Sequence, residues 1–559
     1  MSRSPQALPL ARLLLPLALM ACFEEEEKPD ATDTDTTPDT PGDSGTPTTP
    51  KPGDRDGDGS PDDEDCAPDD PAVHPGAEEI CFDSIDNDCD GAFTIGCLLP
   101  KGVIEAQHTH GVLQGHIDDL EAGTAVALGI LRPNQRASVL IGAPGDRQSE
   151  HPGAVYLLET PFFGTQHLGV LGAEILGEED KDNFGAAVAF VHDRDENGVS
   201  ELVVGAPYAE YGDGAVYVFE PPNVGHYTID GPATLGVAHA KLIGGRASRA
   251  GASLATGDFG GGAGGDIAIG APDWSEYDAR GAVYLLFDGP LTTFPPPELP
   301  EVADEILFGA LVDEPIEHYL LNPGQCVANA GRLLGAGRDG LLLSNGLGYT
   351  YVLDTSTVGA PDFSLAHTPL VEAGDVAMGA GGDLTGDGVT DFLIASSCVD
   401  IPALEVTCTN AVLVMSGATD FYKAGERFDH AADRARATRQ AQAIFVPGED
   451  SYLGVESEVR SVTGAGDVNG DGHDDLLIGD PGADGFHGAV YLFLGPVSGI
   501  LRPEDAYLTI TGDEGDSMLG WSVASGDING DHLDDFVMGA PGDGKRAGAV
   551  YVIYGGRAR

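Results

Sequence analysis

Short apolar runs punctuate most of this chain. Leu202-Val203-Val204, Ile267-Ala268-Ile269, Leu476-Leu477-Ile478 and Phe536-Val537-Met538 each stand after a Gly- or Asp-rich stretch and before a Gly/Pro/Asp break. A second apolar run then follows, as in Ala215-Val216-Tyr217-Val218-Phe219, Ala489-Val490-Tyr491-Leu492-Phe493 or Ala549-Val550-Tyr551-Val552-Ile553. Runs this short, closed at both ends by turn formers, predict buried β-strands joined by tight turns. The 80 glycines and the aromatic share of 7% fit many turns and short strands rather than helical bundles. One stretch has helical character, "ERFDHAADRARATRQAQA" from Glu426, with Arg427, Arg434, Arg436 and Arg439 in an otherwise acidic chain. It reads as an exposed helix pairing with acidic neighbours, or as a dock for an anionic polymer or partner.

The strand pattern repeats. "HDRDENGVSELVVGAP", "GDFGGGAGGDIAIGAP", "GDLTGDGVTDFLIASS", "GDVNGDGHDDLLIGDP" and "GDINGDHLDDFVMGAP" align on one another, an earlier copy keeps only "SVLIGAPGDRQSEHPGAVYLL", and a worn copy stands at "AGRLLGAGRDGLLLSNGLGYTYVL". Together they make seven copies. The spacing is 63 from Gly142 to Gly205, 65 from Gly205 to Gly270 and 60 from Gly479 to Gly539. A period that long, with several short strands per unit, predicts the blades of a propeller. The expectation is an all-β, seven-bladed β-propeller over residues 98–559. Its last copy ends at "GAVYVIYGGRAR" without an outer strand, and "KGVIEAQ", Lys101 to Gln107, is expected to supply one and close the ring.

The acidic stretches carry the candidate chemistry. Asp467, Asn469, Asp471 and Asp475 occupy positions one, three, five and nine of a loop, and Gly472 can take the positive φ that folds it back. Alternate side chains then converge on one cation, and the ninth residue opens a strand. The same spacing recurs in Asp193, Asp195, Asn197 and Glu201, in Asp383, Thr385, Asp387 and Asp391, and in Asp527, Asn529, Asp531 and Asp535, where His532 replaces the glycine. The third copy keeps only Asp258 and Asp266, so its metal stays open, and the first and fourth copies have lost theirs.

These motifs resemble the FG-GAP repeats of the integrin α-subunit propeller. The "FG" element stands as Phe184-Gly185, Ala250-Gly251, Leu453-Gly454 and Leu519-Gly520, and the "GAP" element at Gly142, Gly205, Gly270 and Gly539 with the two residues after each. The resemblance implies a seven-bladed propeller over roughly residues 101–559, with Ca²⁺ in the loops that join the first two strands of a blade.

The N-terminus adds an export route. Arg3 and Arg12 precede an apolar run, Leu13 to Met20, that is too short to span a bilayer and fits a secretory signal. It ends in Leu19-Met20-Ala21-Cys22, which resembles a bacterial lipobox: cleavage after residue 21 and acylation of Cys22, with Phe23 pointing to the outer membrane. Residues 22–53, rich in Asp, Thr and Pro, have little to bury and read as a disordered tether. Residues 54–97 form a small Asp/Cys-rich module resembling metal-binding modules of secreted myxobacterial proteins. Asp54, Asp56, Asp58, Asp62 and Asp65 space themselves as one Ca²⁺ loop, and Cys66, Cys81, Cys89 and Cys97 allow two disulfides in three pairings, with a zinc site as the alternative. Cys398 and Cys408 fit a further disulfide, which leaves Cys326 as a buried thiol.

A net charge of −63 argues against nucleic acid as a partner. "GAPGDGKR" imitates a phosphate loop, but Arg546 stands where Ser or Thr is required and a strand follows; "GAGRDG" from Gly335 likewise leads into a strand, not a helix. With no catalytic motif in its proper context, the expectation is a non-enzymatic, lipid-anchored cell-surface module. It would recognise an extracellular protein or glycan, with about four calcium ions in the propeller and one in the N-terminal loop. The alternatives are a hydrolase or lyase acting on polysaccharides or esters, its accessory domain, or a structural envelope protein.

Overall fold

The computed structural model describes residues 53–62, 64–77, 87 and 89, and residues 99–558 apart from 134, 146–150, 160, 222–232, 235–239, 246, 263–264, 277–278, 290, 292–295, 309–322, 334–336, 345–349, 354, 356–366, 371–376, 418–435, 449–461 and 514. Among these residues the strands form seven sheets. Their innermost strands, Ala125–Gly129, Ala187–Val191, Ser253–Gly257, Cys326–Gly331, Ala377–Gly382, Val462–Gly466 and Ser522–Gly526, contact one another in that order, and the last contacts the first. We number the sheets by these strands. The ring closes on itself, and the fold is an all-β propeller.

The four inner strands of each sheet run antiparallel from the innermost outward, and four sheets add a parallel fifth strand. In the sixth, Val462–Gly466 pairs with Asp475–Asp480, that strand with Ala489–Phe493, and that in turn with Leu508–Thr511. Both faces of a sheet meet a neighbour, so the core is a set of layers between sheets. Leu477 and Val490 of the sixth pack with Phe536, Met538 and Tyr551 of the seventh, and Val537 and Val550 of the seventh with Val139, Ile141 and Tyr156 of the first. This two-sided burial explains why the apolar runs are continuous instead of alternating: all six residues of Asp475–Asp480 and all five of Ala489–Phe493 are buried.

The recurring Phe-Gly and Gly-Ala-Pro elements are the seams between sheets. The Gly520 N–H donates to the Gly539 carbonyl of its own sheet at 3.0 Å, while the Gly520 carbonyl presses on Gly479 of the preceding sheet. A Cβ on Gly479 would lie 2.1 Å from that oxygen, so only glycine fits. Gly185, Gly251 and Gly123 make the same donation to Gly205, Gly270 and Gly142. Gly123 thus fills this role in the first sheet, where the sequence "AG" hid it; the residue before each such glycine, Ala122, Phe184, Ala250 or Leu519, bridges to the preceding sheet.

Closure corrects one sequence expectation. The fourth strand of the seventh sheet is Gly111–Gln114, antiparallel to Ala549–Ile553. The expected segment instead supplies Gly102–Glu105, which lies parallel to Leu508–Thr511 as a fifth strand on the sixth sheet. The burial pattern gives the reason: Leu113 is fully buried in the layer between the seventh and first sheets, whereas Val103 is 73% exposed. The chain ends still meet in one sheet, but through the next apolar pair along.

A disulfide joins Cys66 to Cys89. Cys81, Cys97, the side chains of Cys398 and Cys408, Arg427 and Arg434 lie outside what is described; of the Arg-rich stretch, Arg436–Gln440 is helical. Cys326 is buried. Among the described residues no helix is long and apolar enough to cross a membrane.

Candidate metal centre

The four acidic loops each join the first and second strands of a sheet, and the ninth residue of each, Glu201, Asp391, Asp475 and Asp535, is the first residue of the second strand. The first carboxylate organises the loop by collecting its N–H groups. Asp467 accepts from Gly470 at 2.7 Å, Asp471 at 3.0 Å and Gly472 at 2.9 Å. Asp193 accepts from Asn197 and Gly198, Asp383 from Asp387 and Gly388, and Asp527 from Gly530 and His532. His532 meets the need for a left-handed residue at the sixth position with φ 70°, where Gly472 and Gly388 have 87° and 83°.

The ninth carboxylate ties the loop to the far end of the third strand. Asp475 accepts from Val468 at 3.0 Å and from Gly495 at 2.8 Å; Asp535 accepts from Ile528, Asn529 and Gly555. Asp391, Asp475 and Asp535 have no exposed surface and Glu201 only 3%. Burial pushes Glu201 and Asp475 up to about 7, Asp391 up to about 6, and Asp535 well above the usual carboxylate range. A carboxylate buried among other carboxylates keeps its charge only if a cation compensates it. The donors are carboxylate, amide and hydroxyl oxygens, which fit a hard cation of the calcium class better than a thiophilic metal. In the second loop Asp193, Asp195 and Glu201 each bring an oxygen within 4.8 Å of the others.

The N-terminal loop divides the expected set. Asp54, Asp56 and Asp58 converge within 4.8 Å, and Oδ2 of Asp56 and of Asp58 are shielded from solvent with no hydrogen-bond partner among the described residues. Two shielded, unused carboxylate oxygens side by side fit a cation site. Asp62 instead accepts the Arg55 N–H at 2.9 Å and Asp65 the Ala67 N–H at 2.8 Å, both outside that cluster.

Sequence reasoning missed the eighth position. Asp474 accepts the N–H of Asp383 at 2.6 Å, and Asp534 that of Asp467 at 3.0 Å, so each carboxylate reaches into the loop of the preceding sheet. Asp339 does the same for Asp258 at 3.0 Å, although its own sheet has no acidic loop. The close approach demands glycine before the loop: a Cβ on Gly466, at φ +69°, would sit 2.0 Å from Asp534. The signal was there as the doublets Asp474-Asp475 and Asp534-Asp535.

At the opposite end of the second strands, the hairpin loops carry side chains on strained backbone. Glu210 and Tyr211, Asp484 and Phe486, and Lys545 and Arg546 all have φ between 49° and 74°. Tyr211 is fully exposed and Phe486 is 44% exposed. The loops beneath them are tied down: Lys241 binds Glu210 at 2.7 Å and Glu178 at 2.6 Å, Arg546 pairs with Glu121, and the Tyr551 hydroxyl donates to Asp543.

Comparison with known proteins agrees with this geometry. The FG-GAP repeat family matches residues 184–219, 459–493 and 519–553, and the Cu-binding MopE metal-binding motif matches residues 65–93. Integrin alpha-V of Gallus gallus is 37% identical over 109 residues, 20% of this chain and 9% of that one. Integrin alpha-3 of Mus musculus is 35% identical over 175 residues, 30% of this chain and 15% of the relative. Phosphatidylinositol-glycan-specific phospholipase D of Homo sapiens is 36% identical over 97 residues, 16% of this chain and 11% of the relative. The matches thus span a small part of each relative's own length. The chain carries an integrin-alpha-like FG-GAP propeller with a MopE-type metal-binding motif ahead of it.

Proposed function

We propose that this chain is a calcium-binding, seven-bladed propeller that recognises an extracellular protein or glycan, held at the cell surface by a lipid on Cys22. The observation that carries the reading is the set of hairpin tips. A fully exposed Tyr211 and a half-exposed Phe486 on left-handed backbone cost stability, and such strain with exposed aromatics is characteristic of contact surfaces. The acidic loops lie at the other end of the same strands. Their calcium, four ions with a fifth at Asp54, Asp56 and Asp58, holds adjacent sheets together instead of touching the ligand. The integrin relatives support recognition. The phospholipase relative favours a second reading, an accessory domain for a lipid- or polysaccharide-directed hydrolase.

The test is retention of residues 54–559 on cell envelopes and on a glycan array, with calcium and with EGTA, for the wild type and for Y211A/F486A. Saturable binding lost in the double variant, at unchanged melting temperature, supports recognition through the tips. Unchanged binding by that variant contradicts it, and ester or polysaccharide cleavage by the wild type favours the hydrolase reading.

A further inference from the structure

The second residue of each acidic loop is a knob set into the next sheet. Phe259, Leu384, Val468 and Ile528 are fully buried, each in the apolar layer that its sheet shares with the following one. The second loop carries Arg194 there, 5% exposed. Its guanidinium reaches into the third sheet: Nη1 donates to the carbonyls of Gly265 at 2.7 Å and Leu286 at 3.2 Å, Nη2 to those of Phe287 at 2.6 Å and Gly289 at 3.4 Å. Its Nε is buried and has no acceptor among the described residues. Carbonyls satisfy N–H groups but not a net charge, and a buried guanidinium needs a nearby anion. The guanidinium lies against the backbone on either side of Asp266: Gly265, whose carbonyl it takes, directly precedes Asp266, and Phe287, whose carbonyl it also takes, directly precedes Asp288, whose N–H donates to Asp266.

Asp266 needs a cation just as much. It is the ninth residue of the third loop, 1% exposed, and among the described residues its two oxygens accept only backbone N–H groups, from Gly260, from Phe259 and from Asp288 at 2.9 Å. The loop has little else to offer a metal. Gly260 and Gly262 stand at its third and fifth positions, and Asp258 turns one oxygen to the N–H groups of Gly261 and Gly262. The Asp288 carboxylate reaches the same loop, its Oδ2 1.7 Å from where a Cβ on Gly262 would stand, and three carboxylates still fall well short of the roughly six to eight oxygens that calcium takes. The loop with the poorest donor set thus receives the one charged knob, where its neighbours receive apolar ones.

We propose that the Arg194 guanidinium is the resident cation of the third loop, so that this loop binds no metal and its charge is supplied by the preceding sheet. The count of ions rests on the calcium reading of the other four loops; the pairing of Arg194 with Asp266 does not.

Two measurements on residues 54–559 test it separately. Bound calcium is counted by elemental analysis after dialysis against calcium. Asp258→Asn leaves the count of the wild type unchanged while Glu201→Gln lowers it by one; a lower count in Asp258→Asn overturns the proposal, and no calcium in the wild type overturns only the calcium reading. Urea unfolding in EGTA then compares Arg194→Met, Asp266→Asn and the double variant. The two substitutions should couple by at least about tenfold in the unfolding constant, the double variant being more stable than the sum of the singles predicts. Additive effects overturn the pairing. If Arg194→Met alone fails to fold, rescue by Asp266→Asn supports the pairing, and failure in both backgrounds overturns it.

Discussion

At the scale of residues, the loops separate what is demanded from what is tolerated. His532 holds a left-handed conformation that glycine adopts at no steric cost, and a side chain there costs about 1 kcal/mol. His532→Gly is expected to stabilise the protein by roughly 0.5–1 kcal/mol in urea unfolding, with calcium binding retained. A loss of stability would mean that the imidazole makes a contact worth more than the strain. His110 gives a pH dependence. Its Nδ1 accepts the Tyr554 N–H at 2.7 Å at the seam where the ring closes, and burial pushes its pKa down to about 3. Above the unfolded value of about 6.5 both states are neutral and nothing is lost. As pH falls from there towards 3, the unfolded chain takes up a proton that the folded one refuses, and stability drops by up to about 1.4 kcal/mol per pH unit. His110→Asn keeps an acceptor without the titration, so the wild type should lose stability faster than this variant across that window. Parallel curves would exclude His110 as a source of acid sensitivity.

At the scale of elements, the strand pairs and the acidic loops were legible because both follow from local spacing: the apolar runs became second and third strands, and each ninth carboxylate opened a strand. What escaped depends on neighbours distant in sequence. The eighth-position carboxylates act on the preceding sheet, Asp534 on Asp467, and nothing near Asp534 in the chain names its partner. The closing strand was misplaced for a related reason, since Val103-Ile104 and Val112-Leu113 are equally apolar pairs until the sheet they join is known. Their energetics should differ sharply. Leu113→Ala removes a fully buried side chain beside the seventh sheet and should cost about 2–5 kcal/mol, whereas Val103→Ala, at an exposed fifth strand, should stay within about 0.5 kcal/mol. Thermal unfolding of the two variants decides it; equal losses would contradict the assignment of Gly111–Gln114 as the strand that closes the ring.

At the scale of the whole molecule, cohesion is shared between apolar layers and acidic loops. Each layer holds only its two adjacent sheets, and in three sheets the loop next to it buries a carboxylate, Asp391, Asp475 or Asp535, that no Lys or Arg of the loop neutralises. A metal that binds only the folded state at a hundred times its Kd adds about 2.7 kcal/mol per site, so several loops acting together would dominate the melting behaviour. The measurement that tests this most directly is the melting temperature of residues 54–559 in calcium and in EGTA, followed by re-addition of calcium. We predict a melting temperature lowered by many degrees in EGTA and restored by calcium; identical melting with and without the metal would contradict calcium as the cation that holds the loops.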